Sequence, residues 1–108
     1  MTEPALFILT ALLDEPRHGY GIMAEANALS EGRVELKVGT LYGVLDRLVE
    51  DGLVELDREE PHQGRLRRYY RITNEGSQAL AEEAARQAAN ARTVTRRLRA
   101  YRPATGTP

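Results

Sequence analysis

The amino-acid sequence predicts a mainly α-helical fold with one small β-hairpin, a winged helix-turn-helix followed by a single long C-terminal helix. Three observations carry this expectation. Leu41, Val44, Leu45, Leu48 and Val49 recur at helical spacing, in a run that opens at Gly39-Thr40-Leu41-Tyr42 and stops at Asp51-Gly52. Two strand-like runs, Leu53 to Arg58 and Leu66 to Ile72, flank the turn-rich connector Glu59-Glu60-Pro61-His62-Gln63-Gly64. A further helical pattern then extends from Asn74 to about Tyr101.

Each element has a local cause. Pro4 suits the first turn of an opening helix, whose buried stripe is Leu6, Ile8, Leu9, Leu12 and Leu13, and Pro16 ends it. His18-Gly19-Tyr20-Gly21 forms a tight corner into a second helix, Tyr20 to about Leu29, with Ile22, Met23, Ala26 and Leu29 on its inner face. The loop Ser30-Glu31-Gly32-Arg33 leads through Val34 and Leu36 to the third helix, roughly Val38 to Asp51, and Gly52 is its stop. In the hairpin, Val54 and Leu56 on one strand and Tyr70 and Ile72 on the other are expected to face the helices, leaving Arg58, Arg67 or Arg71 outward. One of Tyr69 and Tyr70 should be core. Thr73 caps the last helix, and Glu75 lies in its first turn, where the helix dipole favours an anion.

Composition narrows the function classes. The chain has 108 residues, one domain by size, with no cysteine and no tryptophan. Disulfides and thiolate metal sites are excluded, apolar runs such as Ala5 to Leu13 are too short to span a bilayer, and no secretory leader is visible. A cytoplasmic location without membrane contact is the expectation. Net charge is −1, yet Arg65, Arg67, Arg68 and Arg71 cluster about the hairpin, and Arg86, Arg92, Arg96, Arg97, Arg99 and Arg102 all follow the last acid, Glu83. This asymmetry points to a basic face.

The last helix would be about 40 Å long at roughly 1.5 Å per residue, too long to fold back on so small a core. Leu80, Ala84, Gln87, Ala91, Val94, Leu98 and Tyr101 alternate spacings of four and three, a heptad seam. Such a seam predicts a homodimer, with alanines letting two backbones approach and Gln87 pairing across or fixing register. The expected organisation is 1–73 as the winged helix-turn-helix, 74–102 as the dimerisation helix and 103–108 as a disordered tail.

Taken in order, Ile8 to Leu13, His18-Gly19-Tyr20, Gly39-Thr40-Leu41-Tyr42, Leu45 through Asp51-Gly52-Leu53-Val54, Arg67-Arg68-Tyr69-Tyr70-Arg71-Ile72-Thr73 and Gly76 resemble the PadR family of bacterial transcriptional regulators. The likeness is to the short members with a single C-terminal dimerisation helix, and it covers about residues 5 to 80. Three positions depart from it. Val38 and Gly43 stand where such members usually carry prolines, and Gly21 stands where an acid commonly follows His-Gly-Tyr.

The resemblance implies that the third helix enters the major groove of double-stranded operator DNA. On a helical wheel Leu41, Leu45 and Leu48 face the core, so Thr40, Gly43, Asp46 and Arg47 face outward. Thr40 and Tyr42 are expected to bind phosphates, and Arg47 a guanine edge or a phosphate. Lys37, the only lysine, precedes the helix and suits a phosphate, while Gly43 permits close approach of the duplex. Arg65, Arg67 and Arg68 supply the wing's charge, and Tyr20 adds a phosphate contact. The family further implies a repressor on a palindromic operator, with a small-molecule effector held between the long helices and the body. No cofactor is expected.

Two other classes compete. An enzyme is disfavoured: His18 and His62 are the only histidines, without metal-ligand spacing, and no nucleotide-binding glycine motif is present. A winged-helix protein-interaction module is favoured by the near-zero net charge, and it predicts that the wing arginines are irrelevant to nucleic acid.

Overall fold

The computed structural model describes residues 1–104, in the order α1 (Glu3–Ala11), β1 (Arg17–His18), α2 (Gly19–Leu29), α3 (Val38–Glu50), β2 (Val54–His62), β3 (Arg65–Ile72) and α4 (Asn74–Ala100). It is the expected winged helix-turn-helix with one long C-terminal helix. α1 starts where Thr2 Oγ1 accepts from the Ala5 amide at 3.2 Å, with Pro4 in the first turn. It ends at Ala11, earlier than its apolar stripe predicts, so Leu13 lies beyond the helix and is exposed. Leu29, the last residue of α2, is exposed as well, while Ile22 and Ala26 are fully buried and Met23 packs on the core from the side.

α2 and α3 are joined by a loop that a buried serine organises. Ser30 Oγ donates to the Asn27 carbonyl at 3.1 Å and accepts from the Val34 amide at 2.9 Å, while Asn27 Nδ2 donates to the Val34 carbonyl at 3.2 Å. These bonds satisfy a hydroxyl that has no solvent access and set the angle at which α3 leaves the loop. At the far end of α3 the Gly52 amide donates to Val49 and the Leu53 amide to Leu48, closing the helix with Gly52 at φ +76°.

The sheet is antiparallel with strand order β1-β3-β2. β1, only two residues long, has no pattern of its own in the sequence; Arg17 pairs with Tyr70 and His18 with Tyr69. The connector expected between the strands is mostly strand: β2 continues through Glu59, Glu60 and Pro61, and only Gln63-Gly64, with φ of 50° and 78°, make the turn. Pro61 is tolerated because β2 is an edge strand, where a missing amide need not break a ladder. Val54 and Tyr70 are core and Ile72 packs against it, as expected, but Leu56 is exposed. Leu56 lies opposite Tyr70, next to the irregularity at Asp57, where the hairpin leaves the helices for solvent.

Ile8, Leu9, Ile22, Leu41, Leu45 and Val54 form the fully buried centre of the core, each contributing about 1.5–3 kcal/mol. α4 is rooted on this core. Thr73 Oγ1 accepts from the Gly76 amide at 3.0 Å and donates to the Gly52 carbonyl at 2.7 Å, locking the start of α4 to the end of α3. Gly76 is required there, because a Cβ would stand 2.1 Å from the Leu53 carbonyl oxygen. Leu80 packs in the chain's own core, so it anchors the helix instead of offering surface to a partner. Glu83, also buried, accepts from Arg86 and from Gln87 and lies 3.7 Å from the amino terminus. Its carboxyl is held below its ordinary range, first by the Arg86 and then by the Gln87 hydrogen bond. From Ala84 onward every described residue is exposed, and the molecule measures 72 × 28 × 21 Å. Ala84, Gln87, Ala91, Val94, Leu98 and Tyr101 thus project away from the body. Most of the expected 103–108 tail lies outside the described residues.

Candidate nucleic-acid interface

Two short polar segments meet on one side of the molecule, the first turn of α2 and the tip of the hairpin, with Tyr42 of α3 between them. Together they enclose a cleft of about 740 Å³ lined by Tyr20, Tyr42, Arg65, Arg67 and Arg68 among the expected site residues, and by His18, His62, Gln63 and Leu66, which sequence reasoning did not single out as site residues. Tyr42 is placed by a close approach: its hydroxyl sits over Gly19, where a Cβ would come within 2.6 Å. Tyr42 is therefore both packed at the core's edge and open to the cleft. Tyr20, one residue on from Gly19, is largely exposed.

His18 forms the cleft's inner wall. Its Nδ1 accepts from the Gly21 amide at 3.3 Å, capping α2, and its ring stands edge-on to Tyr69 with centroids 5.4 Å apart. That cap requires a neutral Nδ1, so the ring proton belongs on Nε2. Burial first, then the neighbouring positive charge of Arg67 and His62, lowers its pKa below 6.5. The corner role expected for His18-Gly19-Tyr20 is present, and the cleft is an additional one. Its signal in the sequence was a histidine at an N-cap position, which is an uncommon cap and easily passed over.

The wing sorts its arginines into two kinds. Arg58 lies 4.0 Å over the Tyr69 ring and bonds Glu60 at 2.6 Å and Asp57 at 2.7 Å. Arg71 bonds Glu55 at 2.8 Å and Asp57 at 3.0 Å. The acids of β2 are thus occupied in bracing the hairpin. Asp57 is held below its usual carboxylate range by Arg58 first and Arg71 second, and Glu60 by Arg58. Arg68 is held only loosely, 3.8 Å from Glu59, and Arg65 and Arg67 make no ion pair among the described residues. The unspent positive charge is the charge that faces the cleft.

On α3 the remaining expected residues divide. Thr40, Gly43 and Arg47 are exposed, as the wheel predicts, but they line a separate and largely apolar groove with Met1, Thr2, Ala5, Val44 and Leu48 on the helix's other flank. Lys37 is the N-cap residue of α3 and is exposed; no side chain caps that end, so first-turn amides are left for an external acceptor. Chemically, the exposed side of α3 and the wing offer hydrogen-bond donors and positive charge, with a cleft on one flank of the helix and a largely apolar groove on the other. Among the described residues no group of His, Asp and Glu could hold a metal ion, and no helix is long and apolar enough to cross a membrane.

Comparison with known proteins agrees with this geometry. The model of the transcriptional regulator PadR-like family matches residues 8–82. The transcriptional regulator Rv3488 of Mycobacterium tuberculosis is 38% identical over 78 residues, 72% of this chain and 69% of that protein. A PadR-like transcription factor from Bacteroides fragilis is 33% identical with a TM-score of 0.73, covering 85% of this chain and 86% of its own. PadR of Bacillus subtilis, solved in complex with operator DNA, is 19% identical and shares the fold, with a TM-score of 0.67 over 96% of this chain and 51% of that one.

Proposed function

The chain belongs to the PadR-like family of transcriptional regulators, and from that premise we propose that it binds double-stranded operator DNA as a homodimer. In this reading α3 enters the major groove, and the cleft between α2 and the wing grips the flanking backbone. Residues 1–73 form the DNA-binding unit and 74–102 the dimerisation helix. The observation that carries the reading is the sorting of the wing arginines: the acids neutralise Arg58 and Arg71, while Arg65 and Arg67 are left free beside Tyr20, Tyr42 and His18. Thr40, Gly43, Arg47 and Lys37 then present the base-facing and phosphate-facing side of α3. The operator-bound Bacillus subtilis relative supports the same use of the fold. Repression by occupancy of a palindromic site, and release by a small molecule between the long helices and the body, complete the reading and rest on family membership.

Fluorescence anisotropy on a fragment of the protein's own promoter, at two salt concentrations, tests it. Tight binding that survives excess unrelated DNA, and weakens steeply with salt, is the expected result. Absence of binding to any DNA at low salt overturns the reading and leaves a protein partner as the function of the fold.

A further inference from the structure

Charge is divided along this chain far more sharply than its net value of −1 conveys. Six arginines but none of the acids follow Glu83, so residues 1–83 carry nine basic groups against sixteen acidic, a net −7, and residues 84–108 carry +6. The change of sign coincides with a change of environment. Glu83 is the last buried residue of α4, and beyond it every described residue is exposed. Arg86 is spent on Glu83, whereas Arg92, Arg96, Arg97 and Arg99 make no ion pair among the described residues. The helix dipole favours cations in a last turn and so accounts for Arg97 and Arg99, but its influence does not reach back to Arg92 and Arg96.

Helical geometry puts these charges on a face of their own. At about 100° per residue, Arg92, Arg96 and Arg99 fall within one sector about 60° wide, roughly 140° round α4 from the centre of its heptad seam. They border an open depression of about 350 Å³ whose remaining lining is Ala91 and Thr95, so no large side chain other than the arginines stands there. The stripe runs about 10 Å along the axis, the rise of about three phosphates on one strand of a duplex. A second copy seated on the seam, where Val94 and Leu98 are more than half exposed, leaves this stripe open to solvent.

What such a face recognises follows from what it lacks. Its small neighbours offer a protein partner no apolar or aromatic anchor to bury, and the cores of protein interfaces are poor in charge. A membrane surface would have to take the apolar seam, the face that the dimer reading assigns to a second copy. A phosphodiester backbone needs neither: it is hydrophilic, repetitive and anionic, and a guanidinium pairs with two of its oxygens at once. We propose that the outer face of α4, carrying Arg92, Arg96 and Arg99, is a second, sequence-independent contact surface for the backbone of duplex DNA. It is additional to the contact proposed for α3 and the wing, and shares with that reading only the duplex as partner. Positive charge on the arm offsets the repulsion that a body of net −7 exerts on the same polyanion.

Fluorescence anisotropy on an unrelated duplex of about 30 base pairs, followed against salt, counts the phosphates contacted and needs no operator. Arg92→Gln/Arg96→Gln/Arg99→Gln removes the charge and keeps the helix propensity. It should lower the slope of log affinity against log salt by about 2–3 for each arm engaged, while sedimentation shows an unchanged oligomeric state. A slope equal to the wild type's overturns the second surface, and the wing reading stands if Arg65→Ala/Arg67→Ala still lowers it. A slope lowered in the arm variant alone, with no preference for promoter DNA, supports the second surface and overturns the operator reading instead. Dissociation of the arm variant into monomers overturns the proposal, because the stripe would then be a contact between copies. Its release from vesicles of phosphatidylcholine with about 30% phosphatidylserine, with duplex binding untouched, overturns it in favour of a membrane. Absence of binding to any duplex at low salt overturns both surfaces.

Discussion

The body and the arm of this molecule obey the same helical periodicity and come to opposite ends. In the body, Ile8, Leu9, Ile22, Leu41 and Leu45 are fully buried. In the arm, Val94, Leu98 and Tyr101 recur just as regularly and remain exposed. α4 shows both outcomes within one element, Leu80 at 8% exposure and Leu98 at 64%. Propensity does not separate them, because both stretches are rich in good helix formers. What separates them is a partner surface: helices in proteins are held mainly by packing of their apolar face, and past Glu83 nothing among the described residues buries the helix. Periodicity therefore identifies a face that must be covered without saying by which chain.

Substitution at equivalent leucines is the strongest way to break that distinction. Leu45→Ala empties a fully buried site and should cost about 2–5 kcal/mol, read as a lower urea midpoint at any protein concentration. Leu98→Ala should leave the midpoint of dilute protein unmoved and shift only the concentration at which the dimer dissociates. Equal losses in dilute solution would mean that the arm is already part of the body's cooperative unit.

Two helical glycines sharpen the same contrast at smaller cost. Gly76→Ala forces a methyl to within 2.1 Å of the Leu53 carbonyl oxygen and 2.8 Å of Ile72 Cγ1, so the root of α4 must shift. Thermal unfolding should report a loss of about 1–3 kcal/mol despite alanine's better helix propensity. Gly43→Ala meets nothing within 4 Å on α3 and should gain up to about 1 kcal/mol. Stabilisation by both would show that the junction of body and arm is loose.

How much of this was legible follows from what each element depends on. α2, α3 and the root of α4 were readable because their stripes, such as Leu41, Leu45 and Leu48, are written in local spacing and really are buried. β1 was invisible: Arg17 and His18 have no pattern of their own and become a strand only by pairing with Tyr70 and Tyr69. The second half of β2 looked like a loop because Glu59-Glu60-Pro61 has poor strand propensity, which an edge position tolerates. Leu13, Leu29 and Leu56 were expected in the core and are exposed, since each sits where an element ends or leaves the body. The residues expected to meet DNA lie at the surface, Arg67 only in part, and their division between two flanks of α3 is tertiary information.

The two kinds of wing arginine give the next test, on function instead of stability. Arg65→Ala/Arg67→Ala should reduce the slope of log affinity against log salt by about 2, roughly one unit per lost phosphate contact. Arg58→Ala/Arg71→Ala removes equal charge from the side chains already paired with Glu55, Asp57 and Glu60, and should leave that slope nearly unchanged. Equal slopes for the two variants would mean that the wing acts only through its total charge.

The smallest expected effect concerns His18, where body and cleft share one side chain. Its folded pKa lies below 6.5, chiefly because burial disfavours the imidazolium, with Arg67 and His62 adding repulsion. The unfolded chain therefore binds this proton more readily than the folded one. The stabilisation from the neutral, capping ring is fully present above about pH 6.5 and fades as pH falls through the lowered value. His18→Asn keeps a cap acceptor but does not titrate there. Melting curves at about pH 7 and about pH 5 should show the wild type losing a few degrees more than this variant. Equal losses would assign the acid sensitivity to other groups, and reduce the bond from the Gly21 amide to a contact with no energetic part in holding α2 against the wing.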